Sequence, residues 1–134
     1  MKKPEDKNNP DYSISNDDKS PQKILFERLA NKWFLMLLST LAQEPKRFNQ
    51  LLKAHDGLSQ KMLSQTLKNL EEDGLLNRKV NGNKIPVEVT YYITAFGLSL
   101  LDIVKPLFDW SNRNVNEVLK NRKQYAKKYH IEKK

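Results

Sequence analysis

Five polar side chains, Gln60, Lys61, Ser64, Gln65 and Lys68, recur at helical spacing opposite Met62, Leu63, Thr66, Leu67 and Leu70. A helix divided in this way buries one side and offers amides, a hydroxyl and two ammonium groups on the other. The amide of Gln65 carries an acceptor and a donor side by side, the pattern that bonds adenine N6 and N7 together. Lys61 and Lys68 suit guanine or phosphate. Just ahead, Gly57 supplies a flexible turn position and Ser59 an N-cap, which adds Ser59 to the same end of the face. Further donors flank this helix: Lys46 and Arg47 before it, and Arg78, Lys79, Asn81, Asn83 and Lys84 after it, as candidates for phosphate. Any amphipathic helix has a polar face, and Arg78 can equally anchor an ion pair within the fold. The turn, the cap and the basic hairpin that accompany the face favour a polyanionic ligand.

These groups need a frame, and the surrounding sequence predicts one. Leu25, Leu29, Trp33, Leu37 and Leu41 recur every four residues, with Phe26, Ala30, Phe34 and Leu38 in the adjoining row, which predicts widely buried helix interrupted near Asn31, a cap for its second piece. Pro45 ends it near Gln43. A short helix follows with Phe48, Leu51 and Leu52 inward, then the turn, then the helix carrying the polar face, closed by Gly74 in the left-handed position. Residues 75–80 and 87–93 are rich in β-branched and aromatic side chains, and Asn81-Gly82 marks the turn between them. Thr94 caps a last helix in which Pro106 predicts a kink. Its apolar residues Phe96, Leu100, Val104, Leu107, Phe108 and Trp110 form a surface too broad for one small domain to cover, so a dimer interface is expected.

The fold class expected is therefore α+β and mainly α: a winged helix-turn-helix with a two-stranded β wing between N- and C-terminal dimerisation helices. Residues 1–22 are polar and Pro-bearing and read as a flexible arm. Residues 23–112 form the DNA-binding and dimerisation domain. Residues 113–134 form a basic tail, helical or partly disordered.

The chain has 134 residues and a formal charge of +8, which points to polyanionic partners, chiefly double-stranded DNA. Most of the excess is in the tail, with eight basic and two acidic residues over 113–134. The absence of cysteine removes disulfides, thiolate chemistry and cysteine-ligated zinc. The start of the chain lacks the apolar run of a signal peptide, and the longest such run, residues 33–38, is far short of the roughly 20 residues of a membrane span. A cytoplasmic, bacterial-type protein without membrane contact is expected. No Ser/His/Asp set, phosphate loop or carboxylate pair emerges, so neither enzyme activity nor a cofactor is expected. His55 and His130 read as ordinary histidines rather than metal ligands, and Glu71, Glu72 and Asp73 as solvated charges. Trp33, Tyr91, Tyr92, Phe108 and Trp110 read as core and interface in preference to an effector pocket, and no small-molecule effector is identified.

Several segments together carry a resemblance: Lys32-Trp33, Arg47-Phe48-Asn49-Gln50-Leu51, residues 57–63, residues 67–75 and Tyr91-Tyr92-Ile93-Thr94-Ala95-Phe96-Gly97. In this order they resemble the HxlR-type winged helix-turn-helix transcriptional regulators, over roughly residues 20–110. The resemblance implies a homodimer on operator DNA, each subunit placing a recognition helix in the major groove and a wing at the backbone or minor groove. Members that sense electrophiles have a Cys-Pro pair ahead of the first helix; here the pair is Ser20-Pro21, so thiol sensing is lost. Thr90 stands where the family usually has Glu, and Pro106 lies later than the family's helix proline, near Asp102. Repression at a near-palindromic operator is the expected mode. The rivals are a winged helix turned to protein interaction and a non-specific nucleic-acid binder driven by the tail.

Overall fold

A computed structural model describes residues 12–15 and 17–130. The elements run α1 (Pro21–Leu29), α2 (Lys32–Gln43), β1 (Lys46–Arg47), α3 (Phe48–Ala54), α4 (Gln60–Glu72), β2 (Leu76–Asn81), β3 (Glu88–Ile93) and α5 (Ala95–Lys128). Most of the arm expected over residues 1–22 lies outside the described residues; helix begins already at Pro21, with Ser20 as its cap.

Helix α2 is the hub and touches α1, α4, β3 and α5. Its Phe34, Leu37, Leu38 and Leu41 are almost fully buried against Leu51, Leu63, Leu70 and Leu76. Asn31 marks the break between α1 and α2: its Oδ1 accepts the Trp33 amide at 3.0 Å, while its Nδ2 donates to Thr66 Oγ1 of α4 at 3.1 Å. One side chain thus caps α2 and fixes where α4 crosses it. Asn31→Ala is expected to cost about 1–2 kcal/mol, since it loses a cap and leaves the buried Thr66 hydroxyl unpaired; urea unfolding of the two proteins checks it.

Helix α4 begins where Ser59 Oγ accepts the Met62 amide at 3.0 Å. It ends on Gly74, at φ +75°, where the Gly74 amide returns to the Glu71 carbonyl and the Leu75 amide to the Leu70 carbonyl. That paired return is the Schellman closure, which glycine accommodates without a Cβ clash. Leu63, Thr66, Leu67 and Leu70 of α4 are buried as expected, but Met62 is exposed, lying beside Asn31 at the rim where α2 begins.

The sheet has three antiparallel strands in the order β1-β3-β2, one more than expected. Lys46 pairs with Tyr91 and Arg47 with Thr90, so Arg47, expected to open α3, is instead drawn with Lys46 onto the edge of the hairpin. Two residues carry no periodicity of their own; pairing with a distant strand makes them extended. The row expected to be widely buried also divides: α1 has no buried residue, and Ile24, Leu25 and Phe26 are exposed on the single chain. Helix α5 runs through Pro106 to Lys128 without interruption.

Candidate nucleic-acid interface

The expected polar face is intact. Ser59, Gln60, Lys61, Ser64, Gln65 and Lys68 are all exposed along one side of α4, while its opposite side is clamped by the core. Gln65 Nε2 donates to Asn69 Oδ1 one turn on, at 3.0 Å. That bond uses one of the two amide hydrogens and leaves one donor and the carbonyl acceptor, the two kinds of group that a base edge requires. Asn69 was not singled out in the sequence, although its spacing of four from Gln65 is the signal that finds it.

The flanking donors fall into rows set by strand register. Arg47, Thr90 and Lys79 are cross-strand partners on one face; Lys46, Tyr91 and Arg78 are partners on the other. The second row shares its face with Leu76 and Ile93, the core side, and Arg78 there reaches Glu71 of α4 at 3.4 Å. Lys46 is held by Glu44 at 2.7 Å, a contact that lowers the pKa of the Glu44 carboxyl, chiefly through the hydrogen bond from Lys46. Asn81 closes the hairpin turn by accepting the Asn83 amide at 3.2 Å. The first row faces away from the core, with Glu88 two residues from Thr90.

Carboxylates divide the cations into two kinds. Arg47 and Lys84 share Glu88, at 3.0 and 3.4 Å, and Lys68 lies 3.9 Å from Glu72. Lys61 and Lys79 have no carboxylate within ion-pairing distance among the described residues. The sequence also missed Lys53. It is exposed on α3 and lines a cleft of about 580 Å³ between that helix and the wing, together with Arg47, Lys84 and Glu88. Three cations around one carboxylate leave this cleft electropositive. Glu88→Gln releases Arg47 and Lys84 together, and is expected to tighten DNA binding severalfold on every sequence at low salt, an advantage that fades as salt screens the added charge. Titrations on two unrelated duplexes at two salt concentrations check it.

The acidic end of α4 is not simply solvated. Arg28 of α1 bonds Asp73 at 2.9 Å and Glu72 at 3.4 Å, and these contacts, led by the Asp73 hydrogen bond, raise its pKa. They tie α1 to the helix that carries the polar face. The aromatic residues do not form one cluster: Trp33 is buried edge-on to His55, whose Nε2 meets Thr40 Oγ1 at 2.9 Å, whereas Trp110 is exposed on α5. Of the side chains expected at a dimer interface, Phe96, Leu107, Phe108 and Trp110 are exposed, Leu100 is half-buried, and Val104 is buried within the subunit. No group of His, Asp or Glu among the described residues is arranged to hold a metal, and no described helix is long and apolar enough to cross a membrane.

A capped helix with an exposed polar ridge, joined through a short turn to α3 and followed by a basic hairpin, has the layout of a winged helix-turn-helix, and residues 28–119 match the HxlR-like helix-turn-helix family. The chain belongs to that family. It is 33% identical over 109 residues to the uncharacterized HTH-type transcriptional regulator YtfH of Escherichia coli K12, a match covering 81% of this chain and 86% of that protein. The fold is similar to that of the putative transcriptional regulator ytfH from Salmonella typhimurium, with a TM-score of 0.71, 31% identity, and 83% and 99% of the two chains covered. It is also similar to the reduced form of the transcriptional regulator YodB from B. subtilis, with a TM-score of 0.62, 30% identity, and 69% and 91% covered. This HxlR-type chain is a DNA-binding transcriptional regulator, from a family of regulators and not of enzymes. Its Ser20 is buried as the cap of α1, accepting the Lys23 amide and donating to Gln22.

Proposed function

We propose that this HxlR-type regulator is a homodimeric repressor that occupies a near-palindromic operator in the cytoplasm and acts by binding, not catalysis. The observation that carries the reading is the pairing of a rigid, outward polar ridge on α4 with an uncovered apolar face elsewhere. Ile24 and Leu25 of α1 and Phe96 and Ile103 of α5 are exposed and line a groove of about 330 Å³, and Phe26 and Leu107 on the same two helices are exposed as well. Apolar area of that kind belongs to an interface, and two-fold pairing is its commonest form. In such a dimer each α4 enters a major groove, with Gln65 and Lys61 at base edges. Arg47, Lys79, Asn83 and Lys84 meet the backbone. Successive major grooves set the half-sites about 10 base pairs apart or a multiple of that. Exclusion of polymerase from the occupied site then represses.

The test is to equilibrate the purified protein with sheared DNA of its own source at physiological salt and to sequence what it retains. One or a few inverted repeats support the proposal. Uniform recovery that disappears on truncation after Asn112 would instead favour non-specific binding through the basic tail, and no recovery together with a stable protein partner would favour an interaction module.

A further inference from the structure

Gln65 stands exposed on the polar ridge of α4. Left to itself, so long a side chain samples many rotamers, and its terminal amide turns over readily between two orientations. The bond from Gln65 Nε2 to Asn69 Oδ1, at 3.0 Å, removes much of that freedom. The amide thereby has a fixed direction, with its donor end toward Asn69.

Asn69 is well placed to be the fixed partner. It is half-buried, next to the fully buried Leu70 and one turn beyond the buried Thr66. Its backbone carbonyl accepts the Asp73 amide at 3.1 Å, and Asp73 is held in turn by Arg28 of α1 at 2.9 Å. Asparagine has one torsion fewer than glutamine, so little freedom is lost when the shorter side chain anchors the longer one. The Lys68 ammonium, on the same ridge, is turned instead to Glu72 at 3.9 Å. A carboxylate at position 69 would also hold the amide, but it would set a negative charge on the face offered to phosphate. The neutral oxygen of asparagine avoids that repulsion.

Direction matters because a base pair has one. In the major groove adenine shows N7 as acceptor beside N6 as donor, and A·T and T·A present the two in opposite order across the groove. An amide free to turn over can meet either order. An amide held one way round meets only one.

We infer that Asn69 is the positioning residue that fixes the direction of the Gln65 amide and so lets α4 distinguish A·T from T·A at the pair Gln65 reads. The inference rests on the base-reading role proposed above for Gln65 and deepens it: Gln65 supplies the contact and Asn69 its polarity. Asn69 acts through Gln65 and needs no contact with DNA.

The test starts from the inverted repeat that the full-length protein enriches, in which the pair relaxed by Gln65→Ala is identified. Binding is then titrated on duplexes carrying A·T, T·A or G·C at that pair in both half-sites. In Asn69→Ala the preference for A·T over T·A is expected to fall about fivefold per half-site, with overall affinity for the A·T duplex changed less. The preference for A·T over G·C should stay within about twofold, since guanine N7 and O6 are both acceptors and match neither direction of the amide. Asn69→Asp keeps the acceptor, so it should restore the A·T over T·A preference while its charge weakens every sequence. Adding Asn69→Ala to Gln65→Ala should change the preference no further, because the two side chains act as one unit. Full A·T over T·A preference in Asn69→Ala, an equal loss on all three duplexes, or Asn69→Asp behaving as Asn69→Ala would overturn the positioning role and leave Gln65 a base reader. Relaxation by Gln65→Ala at a pair other than A·T would do the same. If no repeat is enriched, or Gln65→Ala relaxes no pair in it, the base reading and the inference both fall.

Discussion

Gly97→Ala is expected to destabilise the fold by about 3 kcal/mol or more. Gly97 lies in the first turn of α5, directly over the end of α4. A Cβ built on it would come 2.1 Å from the Leu75 carbonyl oxygen and 2.7 Å from Ile93 Cγ1. The oxygen cannot retreat cheaply, since Leu75 O accepts the Thr94 amide at 3.1 Å and Thr94 Oγ1 bonds the Gly74 carbonyl at 2.7 Å. Thr94 also caps α5 by accepting the Gly97 amide at 3.0 Å. The methyl group therefore forces α5 away from the α4 closure and breaks three contacts that depend on one another. Gly82→Ala is the matched control: nothing lies within 4 Å of its added Cβ, and its effect should stay within about 0.5 kcal/mol. Urea titration of the three proteins reads both values, and equal midpoints would refute the close approach.

Lys61→Glu should separate stability from function. Lys61 is at the second position of α4, where the helix dipole is positive, and no acidic residue stands in that first turn. A cation there is mildly unfavourable to the free protein, while an anion is favourable by roughly 0.3–1 kcal/mol. The arrangement makes sense if an anion arrives from outside, because the helix end and the ammonium group then act together. The substitution is thus expected to raise the unfolding free energy by up to about 1 kcal/mol. The same change should weaken operator binding roughly a hundredfold, about 2.7 kcal/mol. Lys84→Ala, at the wing, should weaken all sequences alike and reduce the salt dependence. A Lys61→Glu protein that is both less stable and fully active on DNA would contradict this role.

Local chemistry explains which parts of this arrangement were readable in the sequence. Asn31, Ser59, Gly74 and Thr94 punctuate the helices through bonds to neighbours a few residues away, so each cap was visible from its own segment. The polar ridge of α4 was visible for the same reason. What escaped depends on contacts distant in sequence. Lys46 and Arg47 become a strand only because Tyr91 and Thr90 lie beside them. Met62 is exposed and Val104 buried because the positions of α2 and the body of the subunit, not helical periodicity, decide which edge of the stripe is covered. Glu88 shared between Arg47 and Lys84, Arg28 reaching Asp73, and the Leu75 carbonyl under Gly97 are likewise products of the assembled fold.

The claim that α4 reads base sequence is tested most directly by recovering genomic DNA with the native protein and with Gln65→Ala, and comparing the enriched motifs. A base-reading role predicts an inverted repeat for the native protein and, for Gln65→Ala, the same repeat with preference relaxed at one symmetry-related position in each half-site, a loss of about 1–3 kcal/mol of discrimination there. An identical motif from both proteins, or loss of affinity spread evenly over every sequence, would contradict it.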